Sequence, residues 1–476
     1  MTDSPAPQNL LFILSDEHNR KLSGCYGHKL VQTPNIDALA ARGTRFTDAY
    51  CNSPICVPSR GSLATGLYPH QIGCWDNATP YTGAVRSWHH MLRDAGVDVV
   101  SIGKLHYRGG DDYGFTEELI PLHVVDGKGD LKALFRKDPL PKGGTGDIAA
   151  TAGPGDSSYG RYDHRIADTA AEWLKRRGAD PKGRRFALFA SFVMPHFPMI
   201  APQADYDLYA DYSLDQLREG LTSPPADHPS LNWMRTHKDY DSHFNDDRRA
   251  VALRAYMGML TCLDRLIGQV LTALEDAGLT GSTRVIYTSD HGDNLGNRQT
   301  WGKSVMYEDS LGVPMIIAGQ GVPEGRVSDT PVSLIDIAPT ALAGTGVAGG
   351  DALPGDSLIA LANTPRDRPV FAEYHAAGSD TGVFALRKGR WKYVEYVGAP
   401  PQLFDLAADP EEDRDLGTDP AQADVRSDLA TALRRICDPE AVNAQAFADQ
   451  AGVIAANGGR AVIAGVGDIP FTPAPD

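Results

Sequence analysis

The chain has 476 residues, of which 45 are Lys or Arg and 61 are Asp or Glu, so its formal net charge at pH 7 is -16. This acidic balance excludes a protein built for non-specific binding to nucleic acid or to an anionic membrane surface, because both need a basic face. Hydrophobic residues make up 42% and charged residues 22% of the chain, which is ordinary globular composition and excludes a largely disordered protein.

Short apolar runs alternate with helical patterns through the first two-thirds of the chain. This alternation predicts an α/β fold with a mostly parallel, buried central sheet flanked by helices. A helix is expected at Asn35–Arg42, and a second one carries apolar residues three and four positions apart from Leu260 to Leu274. The predicted strands are Leu10–Leu14, Val97–Ile102, Phe186–Phe192, Val285–Ser289 and Met315–Ile317.

The pattern of apolar and polar residues divides the chain into three parts. Residues 1–365 form the large α/β domain, with insertions at about 107–162 and 205–247 that we expect to form the walls or lid of a cleft. Short β-like runs predict a smaller C-terminal α+β domain with an antiparallel sheet at 366–440. The tail, 441–476, is either a flexible segment or an arm that packs on another subunit, and its apolar residues favour a homo-oligomer.

The N-terminus and the apolar runs bear on where the protein works. The sequence MTDSPAPQ lacks the basic start and the apolar core of a signal peptide, and no apolar stretch approaches the roughly 20 residues that cross a bilayer. We therefore expect a cytoplasmic protein with no membrane and no nucleic acid among its partners.

Polar side chains follow four of the predicted strands. Because the carboxyl ends of parallel strands meet at one edge of a sheet, we expect these side chains to converge in one crevice, although each alone could be a solvated loop residue or a helix cap. The residues that follow the strands are Asp16, Glu17, Lys104, His106, His196, Asp290 and His291.

Three of these residues have the ligand types for a divalent cation. Asp16 and Asp290 offer carboxylates, which suit Ca²⁺, Mg²⁺ or Mn²⁺, and the His291 imidazole leans toward a transition metal. Glu17 is a weaker candidate, because it could face the neighbouring turn instead. A zinc site built from the four cysteines nearest the N-terminus, Cys25, Cys51, Cys56 and Cys74, is a remote alternative because no C-x-x-C pair occurs.

Cys56 carries a different signal. Pro58 can open a helix immediately after Cys56, which would place the thiol at the positive end of the helix dipole with Arg60 nearby. A thiol in that position would have a lowered pKa and could act as a nucleophile. A buried, inert cysteine is the alternative.

The run C-x-P-S-R-x-x-x-x-T-G, from Cys56 to Gly66, resembles the signature of the sulfatase family, within the alkaline-phosphatase-like superfamily. Further segments agree in order and spacing: LLFILSDEHN, GKLH, MPHFP, TSDHGDNLG, WGKSVMYEDSLGVP and LRKGRWKYVEY. The resemblance covers nearly the whole chain apart from the insertions and the tail. It implies a two-domain α/β hydrolase that cleaves small-molecule sulfate esters with one divalent cation, Ca²⁺ or Mn²⁺ before Mg²⁺.

The resemblance also implies roles for individual residues. Cys56 is similar to the cysteine that a formylglycine-generating enzyme oxidises, and its hydrated aldehyde would attack sulfur. The implied metal ligands are Asp16, Asp290, His291 and the modified Cys56. Glu17 is a further implied ligand, although it stands where many members of the family have an Asp. Arg60 would hold the hydrated aldehyde, and Lys104 and Lys303 would clamp the sulfate. The last two implied catalytic residues are His106 beside the nucleophile and His196 near the leaving group, where an imidazole with an unperturbed pKa of about 6.5 could supply a proton at neutral pH.

The resemblance specifies the substrate less closely than it specifies the reaction. The segments YCNSPICVPSR and Trp75–Ala78 look most like the choline-sulfatase branch, with Asn77 as a candidate substrate contact, so that aryl, alkyl or choline sulfate is the expected substrate. A phosphonate monoester or phosphodiester hydrolase of the same superfamily is the first alternative, since core motifs do not fix the substrate. A catalytically silent anion-binding protein is the second.

Overall fold

Eight strands form the central sheet of the protein. The computed structural model describes residues 8–140, 146–180, 183–469 and 471–475. In chain order the strands are β1 (Asn9–Asp16), β2 (Gly43–Phe46), β3 (Ala49–Tyr50), β4 (Asp98–Lys104), β5 (Glu117–Leu122), β6 (Gly153–Pro154), β7 (Phe186–Pro195), β8 (Ile200–Ala201), β9 (Thr283–Ser289), β10 (Met315–Ala318), β11 (Arg326–Ser328), β12 (Val332–Ser333), β13 (Val370–Tyr374), β14 (Val383–Lys388), β15 (Trp391–Tyr396) and β16 (Gln402–Asp405).

The central sheet is mostly parallel, as the sequence predicts. Its strand order is β11-β2-β10-β9-β1-β7-β4-β5. β1 pairs in parallel with β7 and β9, and β4 pairs in parallel with β7 and β5. β10 runs antiparallel to both of its neighbours. The carboxyl ends of β1, β4, β7 and β9 therefore lie at one edge of the sheet.

Helices cover both faces of this sheet. α6 and α10 pack against each other and against β7 on one face, while α4 and α12 lie on the other face against β4 and β1. In chain order the α-helices are α1 (Pro34–Ala41), α2 (Cys56–Thr65), α3 (Pro69–Ile72), α4 (Trp88–Asp94), α5 (Asp147–Thr151), α6 (Ser158–Gly178), α7 (Gln203–Asp207), α8 (Leu214–Leu217), α9 (Pro229–Lys238), α10 (Asp246–Asp276), α11 (Glu308–Leu311), α12 (Ile337–Thr345), α13 (Leu358–Asn363), α14 (Ala423–Arg434), α15 (Pro439–Ala456) and α16 (Gly459–Ala464).

The apolar run of β1 shows why the sheet is buried on both sides. Leu11 and Ile13 belong to the hydrophobic core under α6 and α10. Leu10, Phe12 and Leu14 point the other way, into the core beneath α4 and α12. Successive side chains of a strand alternate between faces, so a strand covered on both sides is apolar at every position. All five predicted strands of this sheet are confirmed.

Helix α10 is long and apolar. Within the described part of the chain it is the one helix that could cross a membrane by length and composition, and 72% of its apolar window is buried inside the protein. The sequence-based expectation of no such stretch is therefore corrected. Its apolar residues contact α6 and β7, as those of a core helix do.

The C-terminal sheet is antiparallel, in the order β13-β14-β15-β16, as predicted. Helix α14 packs on β14 and β15 and covers a small core of its own. The other side of this sheet, including Ala372 and Ala385, joins the core of the large domain. The two parts thus share buried surface, and the predicted boundary at residue 366 stays a prediction.

A buried carboxylate ties this sheet to the segment that follows α2. Glu373 in β13 contacts His70 Nδ1 at 2.7 Å and His375 Nε2 at 2.9 Å. Burial alone would raise the pKa of Glu373, but the hydrogen bonds from the two imidazoles outweigh it and lower the pKa to about 2. The carboxylate therefore holds helix α3, which follows the cysteine signature, against the smaller sheet.

The tail contains two helices that the sequence analysis does not predict, α15 and α16. Both contact the 3-10 helix Leu131–Leu134 of the same chain. Ile463 is fully buried there, whereas Val462 on the same helix is 57% exposed. The apolar residues of the tail are the reason to expect an oligomerisation arm, but some of them, such as Ile463, are buried against their own chain. Assembly through the remaining surface stays a prediction.

Candidate active site

The predicted strand-end residues converge at the carboxyl edge of the central sheet. β1 delivers Asp16 and Glu17, β4 delivers Lys104, and the turn after β7 delivers His196. Asp290 and His291 follow β9 directly. All six are buried among the other strand ends and helix α2. Parallel pairing of the four strands explains this convergence, because it aligns their carboxyl ends.

Cys56 is the first residue of α2 and is 1% exposed. Its Sγ lies 3.2 Å from His291 Nε2 and 3.8 Å from Asp16 Oδ1. Burial, and then the charge of Asp16, raise the pKa of the Cys56 thiol to about 12. The expectation of a lowered pKa at the helix start is therefore wrong, since desolvation and carboxylates outweigh the helix dipole. An unmodified thiol here would be a poor nucleophile at neutral pH.

Four side chains form a cluster suited to a cation. One ligand atom each from Asp16, Cys56, Asp290 and His291 lies within 4.8 Å of all the others. His291 Nδ1 lies 3.0 Å from the Gly292 carbonyl, which fixes the tautomer and leaves the Nε2 lone pair free to bind. Two carboxylates and an oriented imidazole fit a divalent cation, so the donor set agrees with the predicted metal site.

Arg60 organises the same cluster from behind. Its Nε donates to Asp290 Oδ2 at 2.7 Å and its Nη2 to Asp16 Oδ2 at 3.0 Å. Its Nη1 donates to the Lys104 carbonyl at 2.7 Å and to Ser191 Oγ at 3.0 Å. Because Arg60 occupies the Oδ2 atom of each carboxylate, the Oδ1 atoms are the ones left toward Cys56 and His291. Arg60 thus positions the candidate ligands rather than contacting the Cys56 sulfur.

Glu17 lies beside the cluster with its carboxylate turned to other partners. Its Oε2 accepts a hydrogen bond from Lys303 Nζ at 2.9 Å and lies 3.4 Å from His196 Nε2. Burial raises the pKa of Glu17 to about 7, although the ammonium of Lys303 opposes that shift. Asp16, Glu17 and His196 form a second group with metal-ligand spacing. A ligand role for Glu17 stays a prediction.

The two lysines near Cys56 pair with different carboxylates. Lys104 Nζ is 2.5 Å from Asp16 Oδ2, and Lys303 pairs with Glu17. Burial alone would raise the pKa of Asp16, but the charges of Lys104 and Arg60 hold it well below its ordinary value. Asp16 is therefore ionised at neutral pH, as a metal ligand must be.

The two histidines are held neutral. Burial, and then the Lys303 ammonium, lower the pKa of His196 well below its ordinary value. Burial, and then Lys104, do the same for His106. His196 Nδ1 lies 2.6 Å from the Phe197 carbonyl, which leaves Nε2 toward the site. The sequence-based assumption of an unperturbed imidazole pKa is therefore corrected for the free protein, because both rings are desolvated beside cations.

A cavity of about 860 Å³ opens above Cys56, and this volume suits a small-molecule substrate. Asn77 lines it, and its Oδ1 accepts a hydrogen bond from the Val57 backbone N–H at 3.2 Å, at the start of α2. The other predicted site residues on its wall are Cys56, Lys104, His106, His196 and Lys303. Residues of the predicted insertions also contribute, such as Tyr159 and Tyr240.

Some residues of the site are not predicted from the sequence. Ser191 binds Arg60 from within β7. Asp163 accepts hydrogen bonds from the Val193 and Met194 N–H groups and so fixes the end of β7 before His196. Thr472 lies 2.8 Å from His106 through its hydroxyl. Of these three residues, only Asp163 could have been noticed in the sequence, because it is an acidic residue at an otherwise apolar position of a helical pattern.

The four cysteines proposed for zinc do not assemble. Among the residues that the structure describes, no group with metal-ligand spacing contains more than one of them, and Cys56 belongs to the carboxylate cluster. The remaining members are Cys25, Cys51 and Cys74, all with free thiols. Burial raises the pKa of each of these three thiols, so they are packed as small apolar groups.

Comparisons with known proteins agree with this geometry. The sequence profile of the sulfatase family matches residues 8–347, and that of the N-sulphoglucosamine sulphohydrolase C-terminal region matches residues 296–438. The chain is 32% identical to choline-sulfatase of Rhizobium meliloti (strain 1021) over 429 residues, which covers 87% of this chain and 83% of the relative. It is 31% identical to arylsulfatase K of Danio rerio over 459 residues, covering 91% and 84%.

Among solved structures, phosphonate monoester hydrolase of Agrobacterium radiobacter superposes with a TM-score of 0.71 at 23% identity, covering 90% of this chain and 95% of that one. At this identity the likeness shows the fold alone. The family profile, by contrast, spans most of the chain and includes Cys56, Asp16 and Asp290. The chain therefore belongs to the sulfatase family, a family of sulfuric ester hydrolases.

Proposed function

We propose that the protein hydrolyses small-molecule sulfate monoesters, with formylglycine made from Cys56 as the nucleophile and one divalent cation beside it. The observation that carries the proposal is the position of Cys56 at the base of the cavity, in contact with His291 and within the Asp16–Asp290 cluster. The intact C-x-P-S-R context of Cys56 supports its oxidation by a formylglycine-generating enzyme.

The residues around Cys56 would hold the cation and the nucleophile in place. Asp16, Asp290 and His291 would bind the cation, with Ca²⁺ or Mn²⁺ expected before Mg²⁺. When bound, the cation supplies a Lewis acid that favours ionisation of a hydroxyl of the hydrated aldehyde. Arg60 fixes both carboxylates, so their geometry does not have to reorganise when a substrate arrives.

The charge of the site suits a monoanionic ester. Three cationic side chains, Arg60, Lys104 and Lys303, face three carboxylates, Asp16, Glu17 and Asp290. The side chains therefore balance one another, so the excess positive charge that a substrate meets would come from the bound cation and not from the side chains. A sulfate monoester carries one negative charge, whereas a phosphate monoester carries nearly two at pH 7 and would gain more from additional arginines.

His196 is the group that we assign to the leaving oxygen, with Nε2 facing the site. A bound ester brings a negative charge that raises the pKa of the imidazole and allows it to supply a proton. We expect His196→Ala to lower kcat/KM for an alkyl sulfate by about 10²-fold or more, as for the loss of a general acid. An activated nitrophenyl sulfate should lose less than about tenfold, because its leaving group needs no proton. Equal losses for the two esters would point to a structural histidine.

A substrate panel tests the proposed function. We expect kcat/KM to be higher for an aryl sulfate than for the matched phosphate monoester, phosphodiester and phosphonate monoester. Choline sulfate is included because choline-sulfatase is among the relatives. A preference of more than about tenfold for the phosphonate or the phosphodiester, roughly 1.4 kcal/mol of transition-state binding, would favour the alternative activity. Activity on aryl sulfate without any on choline sulfate would keep the reaction and discard that substrate.

The remaining parts of the proposal rest on the sequence. They are a cytoplasmic location and assembly into a homo-oligomer through the exposed surface of the tail. Binding of sulfate or phosphate without hydrolysis of any ester would favour the catalytically silent alternative.

A further inference from the structure

The end of the chain lies over the candidate active site. We call the described residues 466–469 and 471–475 the C-terminal strap; no helix or strand is formed within it. Helix α16 directly precedes the strap and anchors it, because Ile463 is fully buried in a cluster with Leu131, Leu134 and Leu140. The strap therefore begins at an anchored helix, which packs on the segment that follows β5.

The strap contacts residues that surround Cys56. Thr472 Oγ1 lies 2.8 Å from His106 Nε2, and the Tyr159 hydroxyl donates to the Thr472 carbonyl at 2.6 Å. The Phe471 ring packs edge-on against Tyr159 with the ring centroids 5.3 Å apart. Tyr159 in turn packs edge-on against His196, at 6.0 Å. Both candidate catalytic histidines are thus linked to the strap directly or through one aromatic ring.

Two further polar contacts hold the strap at its ends. Lys132 Nζ is 2.7 Å from Asp468 Oδ1, and the Asp468 side chain is 34% exposed. Arg165 Nη1 donates to the Pro475 carbonyl at 2.9 Å. Phe471 and Ala474 also pack against the main hydrophobic core, and each polar attachment is a single hydrogen bond or ion pair that contributes about 1 kcal/mol. The strap has no helix or strand of its own, so we expect it to open at a lower free-energy cost than the core.

The strap also forms a wall of the cavity above Cys56. Asp468, Ile469, Phe471 and Thr472 line the same cavity as Cys56. The apolar members of this wall, Ile469 and Phe471, exclude water and limit the room for the alcohol part of an ester.

We propose that the C-terminal strap closes the cavity over Cys56 and selects sulfate esters by the size of their leaving group, with Thr472 as a positioning residue for His106. The proposal rests on sulfate ester hydrolysis at Cys56. Within the described residues, His106 Nδ1 is buried without a hydrogen-bond partner. The hydrogen bond between the Thr472 hydroxyl and Nε2 holds the His106 ring in its orientation on the cavity wall.

Two substrates of different size test the strap. Nitrophenyl sulfate serves as the small ester and methylumbelliferyl sulfate as the larger one. In a variant that ends at Gly465, we expect KM for nitrophenyl sulfate to rise at least about tenfold, as for the loss of roughly 1.4 kcal/mol of binding. KM for the larger ester should rise less, because removal of the wall also gives it room. Phe471→Ala should change the ratio of the two KM values in the same direction. This variant keeps the full-length chain, so it tests the proposal even if the shortened variant does not fold.

Thr472→Val tests the positioning role, since valine keeps the shape and removes the hydroxyl. We expect kcat to fall about tenfold for both esters with KM nearly unchanged, as for one lost hydrogen bond that orients a catalytic group. Val462→Ala is the control, because Val462 is exposed on α16 away from the cavity. An unchanged ratio of KM values in both the shortened and the Phe471→Ala variants would overturn the proposal. A full-length protein that hydrolyses neither sulfate would instead contradict the proposed function.

Discussion

Cys56→Ala is expected to abolish hydrolysis of sulfate esters, with a loss of at least about 10⁴-fold in kcat/KM, because the covalent nucleophile is removed. Cys56 is the residue at the base of the cavity from which a hydrated aldehyde can be made, and its side chain touches His291. The measurement is kcat/KM for nitrophenyl sulfate on protein made in cells that contain a formylglycine-generating enzyme.

The control for this substitution is Cys262→Ala. Cys262 is another buried cysteine, in the middle of α10 and outside the cavity. It should retain activity within about threefold, since truncation of a small core side chain away from the site costs stability and not transition-state binding. Activity of Cys56→Ala within about tenfold of the unaltered protein would remove Cys56 from the mechanism.

Asp290→Ala is expected to remove the bound cation together with activity. Elemental analysis of the unaltered protein should give one divalent ion per chain, and the variant should hold less than about a tenth of that, because a carboxylate ligand and its charge are lost. The substitution also leaves Arg60 Nε without its partner at 2.7 Å. We expect the free energy of unfolding to fall by about 3 kcal/mol, as when a buried ion pair is broken.

Asp211→Ala is the matched control, because Asp211 is exposed and lies outside both metal-ligand groups. It should keep the ion and the activity. Equal metal content in Asp290→Ala and in the unaltered protein would contradict the assignment of the ligands. Stoichiometric zinc in a preparation that binds no other divalent ion would contradict the expected ion type.

The sequence carries enough information to predict the sheet and the residues at its edge. Asp16, Lys104, His196 and Asp290 each follow a short, mostly apolar run, and parallel pairing then brings them together. The pattern is reliable because a strand buried on both faces has no alternative to an apolar run.

Properties that depend on burial are not predicted from the sequence. The helix start at Cys56 favours a lowered thiol pKa, yet burial beside Asp16 raises it. The imidazole of His196 is likewise expected to have an ordinary pKa, and desolvation near Lys303 lowers it. Local sequence identifies the groups, but their protonation depends on which charges the fold places around them.

Contacts between distant segments are also missed. Thr472 meets His106 across 366 residues, and the tail has no periodic pattern that would indicate such a contact. Helix α15 has apolar and polar residues on all sides, so an amphipathic search does not find it. The strap could be placed over the cavity only once the position of α16 was known.

Peptide mass spectrometry of residue 56, paired with the activity of the same preparation, tests the proposed chemistry most directly. We expect the peptide to carry formylglycine in place of cysteine, and we expect kcat per chain to rise in proportion to the oxidised fraction. Preparations from cells that lack the oxidising enzyme should hold the free thiol and be inactive, since burial beside carboxylates makes that thiol a poor nucleophile. A fully active preparation in which Cys56 is still a free thiol would contradict the proposal.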